Sequence, residues 1–439
     1  MGLAELRRTA AAPGAAVGTG PASAAADGPS GEYDALILDA ATKQGLACVR
    51  SLGRAGLRVV AAECFAECAP TSPVVGFRSR HSRYNLVLPS YATDPDEFGA
   101  QVVEFVRAHP TKVVLPTMDG SISALMPRRA ELAQLGCMLA LPSDASLAIA
   151  NDKAKTLALA ERLGIAYPRS ERIDRLDEAP VALKSFSFPV VLKPTISWVP
   201  GAPERIAPVD AVNESEAMAD IERYLGTGAS VLVQEWASGQ REGVTLFMVD
   251  GEVVGHCAHV AIRTSPPLGG ASVMRKSVLP PSDTYASAVN LVQEIGLTGV
   301  CEVEFRRDAS GRPLLMEVNA RLGGTIENAL RSGVDVPWMI WQWASGQPVT
   351  PVTSYQTEVR TRWLRGDMRW LLENYGRAGR PDSVSPARSL WIFGTEFLRT
   401  VHYDFLDRGD LSPAFAELRN TAIAVRRRTT SQSTSPRRG

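Results

Sequence analysis

At 439 residues the chain is long enough for two or three compact domains, each burying its own core. Lys plus Arg and Asp plus Glu are equal at 47, so no global field draws the protein to nucleic acid or to an anionic membrane surface, and a charged partner must be met locally. The six cysteines are scattered without zinc-type spacing or secreted-scaffold density, and no apolar run is long enough to span a bilayer, which points to reduced thiols in a cytoplasmic protein.

Residues 1–32, rich in Ala, Gly and Pro, read as a disordered leader. Order begins near Tyr33, where an apolar run, an amphipathic stretch to Leu52 and a second apolar run at 57–61 make a βαβ unit. A second unit follows to about 148, predicting a doubly wound α/β domain over 33–148. Its first turn, DAATKQG at 39–45, lacks the G-x-G-x-x-G spacing of a dinucleotide site, and no dinucleotide is assigned. A new domain over 149–350 opens where Asn151 and Asp152 cap a helix that Gly164 stops. Its strands are expected to pair antiparallel, 231–235 with 244–249 and 253–258, then 299–306 with 313–318. The segment 351–420 should be mainly helical, and 421–439 should form a basic disordered tail. Six of the eight tryptophans fall after 333, as packing of a helical cap or as an aromatic wall on a substrate pocket.

The hairpin GVCEVEF (299–305) and LLMEVNARLGG (314–324) carries the clearest chemistry. Side chains alternate along a strand, so Glu302 and Glu304 share one face, as do Glu317 and Asn319. Pairing the strands sets Glu304 beside Glu317 and Asn319. Crowded carboxylates repel unless a cation neutralises them, and hard oxygen ligands suit Mg²⁺, with Mn²⁺ as a substitute, better than Zn²⁺. Glu302 reads equally as a solvated strand residue.

This hairpin resembles the metal-binding signature of the ATP-grasp superfamily, an acid on one strand and E-x-N-x-R on the next. The rest of that pattern occurs in order. Lys153, in NDKAKTLALAERLGI, and Lys193, in FPVVLKP, resemble the family's two phosphate-contacting lysines. VLVQEW (231–236) resembles its adenine hinge, which implies Gln234 and Glu235 at the amino edge and the Trp236 backbone at a ring nitrogen; Glu242 matches the acid aimed at the ribose. The resemblance implies that Arg321 braces the transferring phosphoryl group. It makes 259–278 a substrate-facing loop whose Arg275 contacts the acyl phosphate or the substrate carboxylate. The run 195–208 stands where relatives carry a phosphate-covering Gly-rich loop, and here it has only Gly201 and several prolines.

The implied architecture is a pre-ATP-grasp α/β domain, an ATP-grasp domain of two antiparallel α+β subdomains, and a helical extension. The implied activity is ATP- and Mg²⁺-dependent joining of a small carboxylic acid or amino acid to an amine through an acyl phosphate, with release of ADP and phosphate. Within the superfamily the chain is most similar to carboxylate–amine ligases and to carboligases related to carbamoyl-phosphate synthase. A bicarbonate-using carboxylase and a non-catalytic nucleotide-binding protein are the rival readings. The partners expected are small-molecule carboxylate and amine substrates, with neither nucleic acid nor membrane, and the apolar helices after 333 are compatible with a homodimer. No residue presents itself as the base for the amine.

Overall fold

The computed structural model describes residues 31–433 except 67, 197, 199–207, 268–269 and 378–379. Most of the expected leader and most of the segment compared above with a phosphate-covering loop therefore lie outside the described residues.

Three sheets organise the chain. The first is parallel, with strands β1 (Tyr33–Ile37), β2 (Val59–Glu63), β3 (Tyr84–Val87), β4 (Thr111–Leu115) and β5 (Met138–Leu139) in the order β3-β2-β1-β4-β5. Consecutive apolar residues such as Leu36 and Ile37 are both fully buried, because helices cover both faces of the sheet. The strand order reverses between β1 and β4, so the crevice at their carboxyl ends is the topological switch point of a doubly wound fold.

The second sheet joins β6 (Ser170–Ile173), β7 (Val190–Pro194), β8 (Val209–Ala211) and β9 (Val231–Glu235), all antiparallel, in the order β6-β9-β7-β8. The third contains β10 (Arg241–Val249), β11 (Glu252–Ser265), β12 (Ala271–Val278), β13 (Gly299–Arg307), β14 (Pro313–Asn319), β15 (Arg360–Arg362) and β16 (His402–Tyr403), in the order β14-β13-β10-β11-β12-β15-β16. Strand 231–235 thus pairs with β6 and β7 and not with 244–249 as its sequence position suggested. The expected turn between β10 and β11 is present, with Asp250 and Gly251 both at positive φ.

The back face of the third sheet, carrying Val244, Leu246, Val303 and Phe305, shares one core with Val102 and Phe105 of the helix Pro95–Ala108 and Leu157 of the helix Lys153–Arg162. That shared core holds the first and third sheets in register across the molecule. Helix Lys153–Arg162 starts as anticipated, because the Asp152 carboxylate accepts from the Ala154 and Lys155 amides, and Gly164 follows it at positive φ.

The C-terminal segment departs from expectation in two ways. Strands β15 and β16 extend the third sheet between helices, and a helix runs from Ser412 to Ser433, so residues 421–433 are helical and not part of a disordered tail. Trp341 and Trp370 are buried packing residues, whereas Trp391 is largely exposed. The six cysteines form no disulfide among the described residues, and no described helix is long and apolar enough to cross a membrane.

Candidate active site

The front face of the third sheet is polar for a reason visible in its register. Glu317, Glu304, Gly243, His259 and Ser277 lie in one row across β14, β13, β10, β11 and β12, and Asn319, Glu302, Thr245 and Cys257 lie in the next row on the same face. Glu304 and Glu317 are therefore direct cross-strand partners. Asn319 Nδ2 donates to Glu304 Oε1 at 3.5 Å, so the three side chains stand together on this face. Gly243 leaves room in this row, since a Cβ there would stand 2.2 Å from the His259 ring.

Cations converge on the cluster from the facing elements. Lys153, at the start of its helix, sets Nζ 3.8 Å from Glu317 Oε2. Lys193, on β7, donates to Gln234 Oε1 at 2.7 Å. Arg241, one strand over, donates from Nε to Glu304 Oε2 at 2.7 Å and makes a second contact through its terminal nitrogen. Burial opposes ionisation of Glu317, but Lys153, Lys193, Arg241 and Arg321 outweigh it and hold this carboxyl below its usual range. Burial, reinforced by Glu317 and Glu302, pushes Glu304 up instead, against the pull of Arg241. Burial, helped by Lys153 and Arg241, brings Lys193 down to about 8. Two neighbouring carboxyls whose proton affinities crowding pushes in opposite directions fit a divalent cation. Among the described residues no three His, Cys, Asp or Glu side chains converge, so the donor set is two carboxylates and an amide, and water and phosphate oxygens would complete a hard-ion shell.

A cleft opens beside this cluster between the second and third sheets, lined by Lys193, Glu235, Trp236, Arg241, Glu304 and Glu317 among others. The Arg306 guanidinium lies over the Trp236 ring at 5.3 Å along one wall.

Four expected roles need correction. Glu242 alternates to the opposite face of β10 from Arg241 and is engaged by Arg307 and Thr284, so it does not face the cleft. Gln234 is fully buried and spans Lys193 and Ser170, positioning the lysine where an adenine contact had been expected. The segment 259–278 is strand up to Ser265 and again from Ala271, and is not a substrate-facing loop. Within it Arg275 is wholly buried and bonded to Asp404 at 2.5 Å, so it is a packing ion pair away from the cleft. Arg321, for its part, offers its guanidinium fork to Asp119 at 2.5 and 3.0 Å, tying the segment just after β14 to the first residue of the helix Asp119–Leu125. Arg241 was not anticipated; its position two residues before Gly243, on the face opposite Glu242, is the alternation signal that would have found it.

The comparisons with known proteins bear on the family and the fold. Residues 247–366 match the family model described as ATP-grasp in the biosynthetic pathway with Ter operon. The chain is 31% identical over 243 residues to a probable alpha-L-glutamate ligase of Marinobacter nauticus, covering 53% of this chain and 75% of the relative. The chain belongs to the ATP-grasp family. It is also 27% identical over 254 residues to the carbamoyl phosphate synthase large chain of Pseudarthrobacter chlorophenolicus, covering 53% of this chain but only 22% of that protein. Among solved structures, the ATP-grasp fold is shared with the L-amino acid ligase from Bacillus licheniformis (TM-score 0.55, 16% identity, 73% of this chain and 75% of that one). It is shared too with the biotin carboxylase domain of 2-oxoglutarate carboxylase from Hydrogenobacter thermophilus (TM-score 0.58, 16% identity, 75% and 73%).

Proposed function

We propose that this ATP-grasp protein is an ADP-forming carboxylate–amine ligase that activates a small carboxylic acid, or an amino acid, as an acyl phosphate before an amine displaces phosphate. The observation that carries the reading is the direct pairing of Glu304 with Glu317, with Asn319 two residues on, opposite the buried cations Lys153 and Lys193. The names of the Marinobacter and Bacillus licheniformis proteins support an amino acid as one substrate.

In this reading Lys153 and Lys193 neutralise phosphate charge, and Gln234 orients the Lys193 ammonium through the bond it accepts. Glu235 and Trp236 stand at the base-binding end of the cleft. Glu304, Glu317 and Asn319 would hold Mg²⁺, which supplies charge neutralisation of the phosphates when bound. Arg241 keeps the Glu304 carboxylate aimed at that position, and Arg321 braces the same corner from Asp119. The chain's own contribution is positioning and preorganised charge.

The deciding assay is ADP and phosphate release from Mg-ATP across pooled amino acids and small acids, with and without amines. Release that requires an acid–amine pair is expected. Release driven by bicarbonate alone would replace the ligase reading by a carboxylase, and binding of ATP with no release in any pool would replace it by a nucleotide-binding protein.

A pH prediction follows from Lys193. Its ammonium must be protonated to meet a phosphate, and its pKa in the free protein is about 8. Nucleotide raises that pKa, so above about pH 8 binding takes up a proton and affinity for Mg-ADP should fall by up to ~tenfold per pH unit. Calorimetry in two buffers of different ionisation heat reads this directly. A dissociation constant that is flat from about pH 7 to about pH 9, with no buffer-dependent heat, would remove Lys193 from the phosphate site.

A further inference from the structure

One row along the polar face from Glu304, a second set of charged groups stands outside the reaction described above. Lys43 opens the helix Lys43–Arg54 just beyond the turn after β1, at the switch point of the first sheet. Its Nζ is buried and makes no hydrogen bond among the described residues. The Asp404 carboxylate lies 3.6 Å away, too far for a hydrogen bond, and the Trp363 ring 5.2 Å away. The ammonium is therefore charge-balanced in part while its donors go unused. An unused buried donor is costly, the more so when charged, so a site that keeps one is suited to an acceptor arriving from outside.

Glu302 supplies the opposite charge. Its side chain is almost wholly buried; Oε2 accepts from Thr325 at 2.8 Å, and Oε1 faces His259 Nε2 at 3.7 Å, which leaves it acceptor capacity. Two glycines bring these charges together. A Cβ on Gly323 would lie 1.4 Å from Glu302 Oε2, and one on Gly324 would lie 3.3 Å from Lys43 Nζ, so the carboxylate and the ammonium pack against consecutive residues of one backbone segment. That segment directly continues the strand bearing Glu317 and Asn319. Glu302 is two residues from Glu304 on the same strand face, a spacing of about 7 Å.

We propose that Lys43 and Glu302 bind the amine substrate and that this substrate is an α-amino acid, its carboxylate on Lys43 and its amino end on Glu302. The charges match a zwitterion in both sign and order. With the carboxylate held at Lys43 and the amino end at Glu302, two residues from Glu304, the amino acid enters as the nucleophile once its ammonium has given a proton to the Glu302 carboxylate, and not as the acid that is activated. The assignment rests on the ligase reading for its place in the reaction, but binding at Lys43 can be tested apart from turnover.

The experiment is thermal unfolding of the full chain with each of the common L-amino acids at about 10 mM, against the corresponding amino acid amides, in Mg-ADP. At least one free amino acid should raise Tm by about 2 °C or more while its amide, which keeps the ammonium but lacks the carboxylate, should not. Lys43→Met should abolish that shift and leave the Mg-ADP shift in place; Lys43→Arg should retain part of it. The proposal is overturned if no free amino acid stabilises the wild-type protein, if the amide does so equally, or if the shift survives in Lys43→Met. Should Lys43→Met fail to show the Mg-ADP shift and so prove misfolded, the acid-against-amide comparison on wild type and the Lys43→Arg variant decide. Absence of any Mg-ADP shift in wild type would count against the nucleotide reading alone, because the amino-acid arm repeated without nucleotide still reports on Lys43.

Discussion

Glu317→Gln should lower kcat with Mg-ATP by at least about 10²-fold while leaving the fold intact. Glu317 is the carboxylate on which Lys153, Lys193, Arg241 and Arg321 all act, and they hold it ionised against its burial. Its partner Glu304 is the more readily protonated of the two. Removing the charge at 317 therefore takes away the stronger of two anionic donors and leaves the surrounding cations without their common counter-ion. The amide is nearly isosteric, so the melting temperature should change little and the loss should appear in turnover. A coupled ADP assay over a wide Mg²⁺ range checks this. Near-normal kcat at saturating Mg²⁺ would show that the cation is held elsewhere and would dissolve the site as drawn.

The largest stability effect should come from Asp367→Asn, far from the cleft. Asp367 is fully buried and is shared by two arginines: Arg263 donates to it at 2.6 and 2.9 Å, and Arg362 donates at 2.7 Å. Arg263 has a second carboxylate, Glu396, at 3.5 Å, but Arg362 is wholly buried with Asp367 as its ionic partner among the described residues. Neutralising Asp367 leaves two guanidiniums close together with an amide between them. Breaking a buried pair in this way costs about 3–5 kcal/mol, because the remaining charge stays desolvated. Guanidinium chloride unfolding of the variant should show a loss of this size. A change below about 1 kcal/mol would mean that water reaches the network or that the helix Leu364–Tyr375 repacks around it.

The two predictions stand at opposite ends of what the amino-acid pattern could reveal. The metal-facing hairpin was legible because strand periodicity is local: Glu304, Glu317 and Asn319 fall on one face as soon as 299–305 and 314–319 are strands, and a short turn around Asp308 and Gly311 sets their register. The cap at Asp152 was legible for the same reason and the doubly wound sheet from its βαβ pattern, whereas the strand order, which sets Ala35 opposite Val113, was not. Lys153 and Lys193 came with the family pattern, and the fold places both beside Glu317.

What the sequence by itself determined was thus the presence of a doubly wound sheet, an antiparallel hairpin bearing oxygen ligands, and basic residues in the order an ATP-grasp protein needs. Only the tertiary structure decided where the remaining charges go. Arg321 meets Asp119 across 202 positions, Arg263 meets Asp367 across 104, and Arg275 meets Asp404 across 129. Alternation says that Glu242 and Arg241 point to opposite faces, but not which face meets the cleft and which meets Arg307. The same holds for Lys43, whose neighbours Gly324, Trp363 and Asp404 come from three other parts of the chain. Local hydrogen bonding and side-chain period are properties of a few adjacent residues. The partner of a buried charge is chosen by which surfaces the hydrophobic core forces together, and that choice exists only once the whole chain is packed.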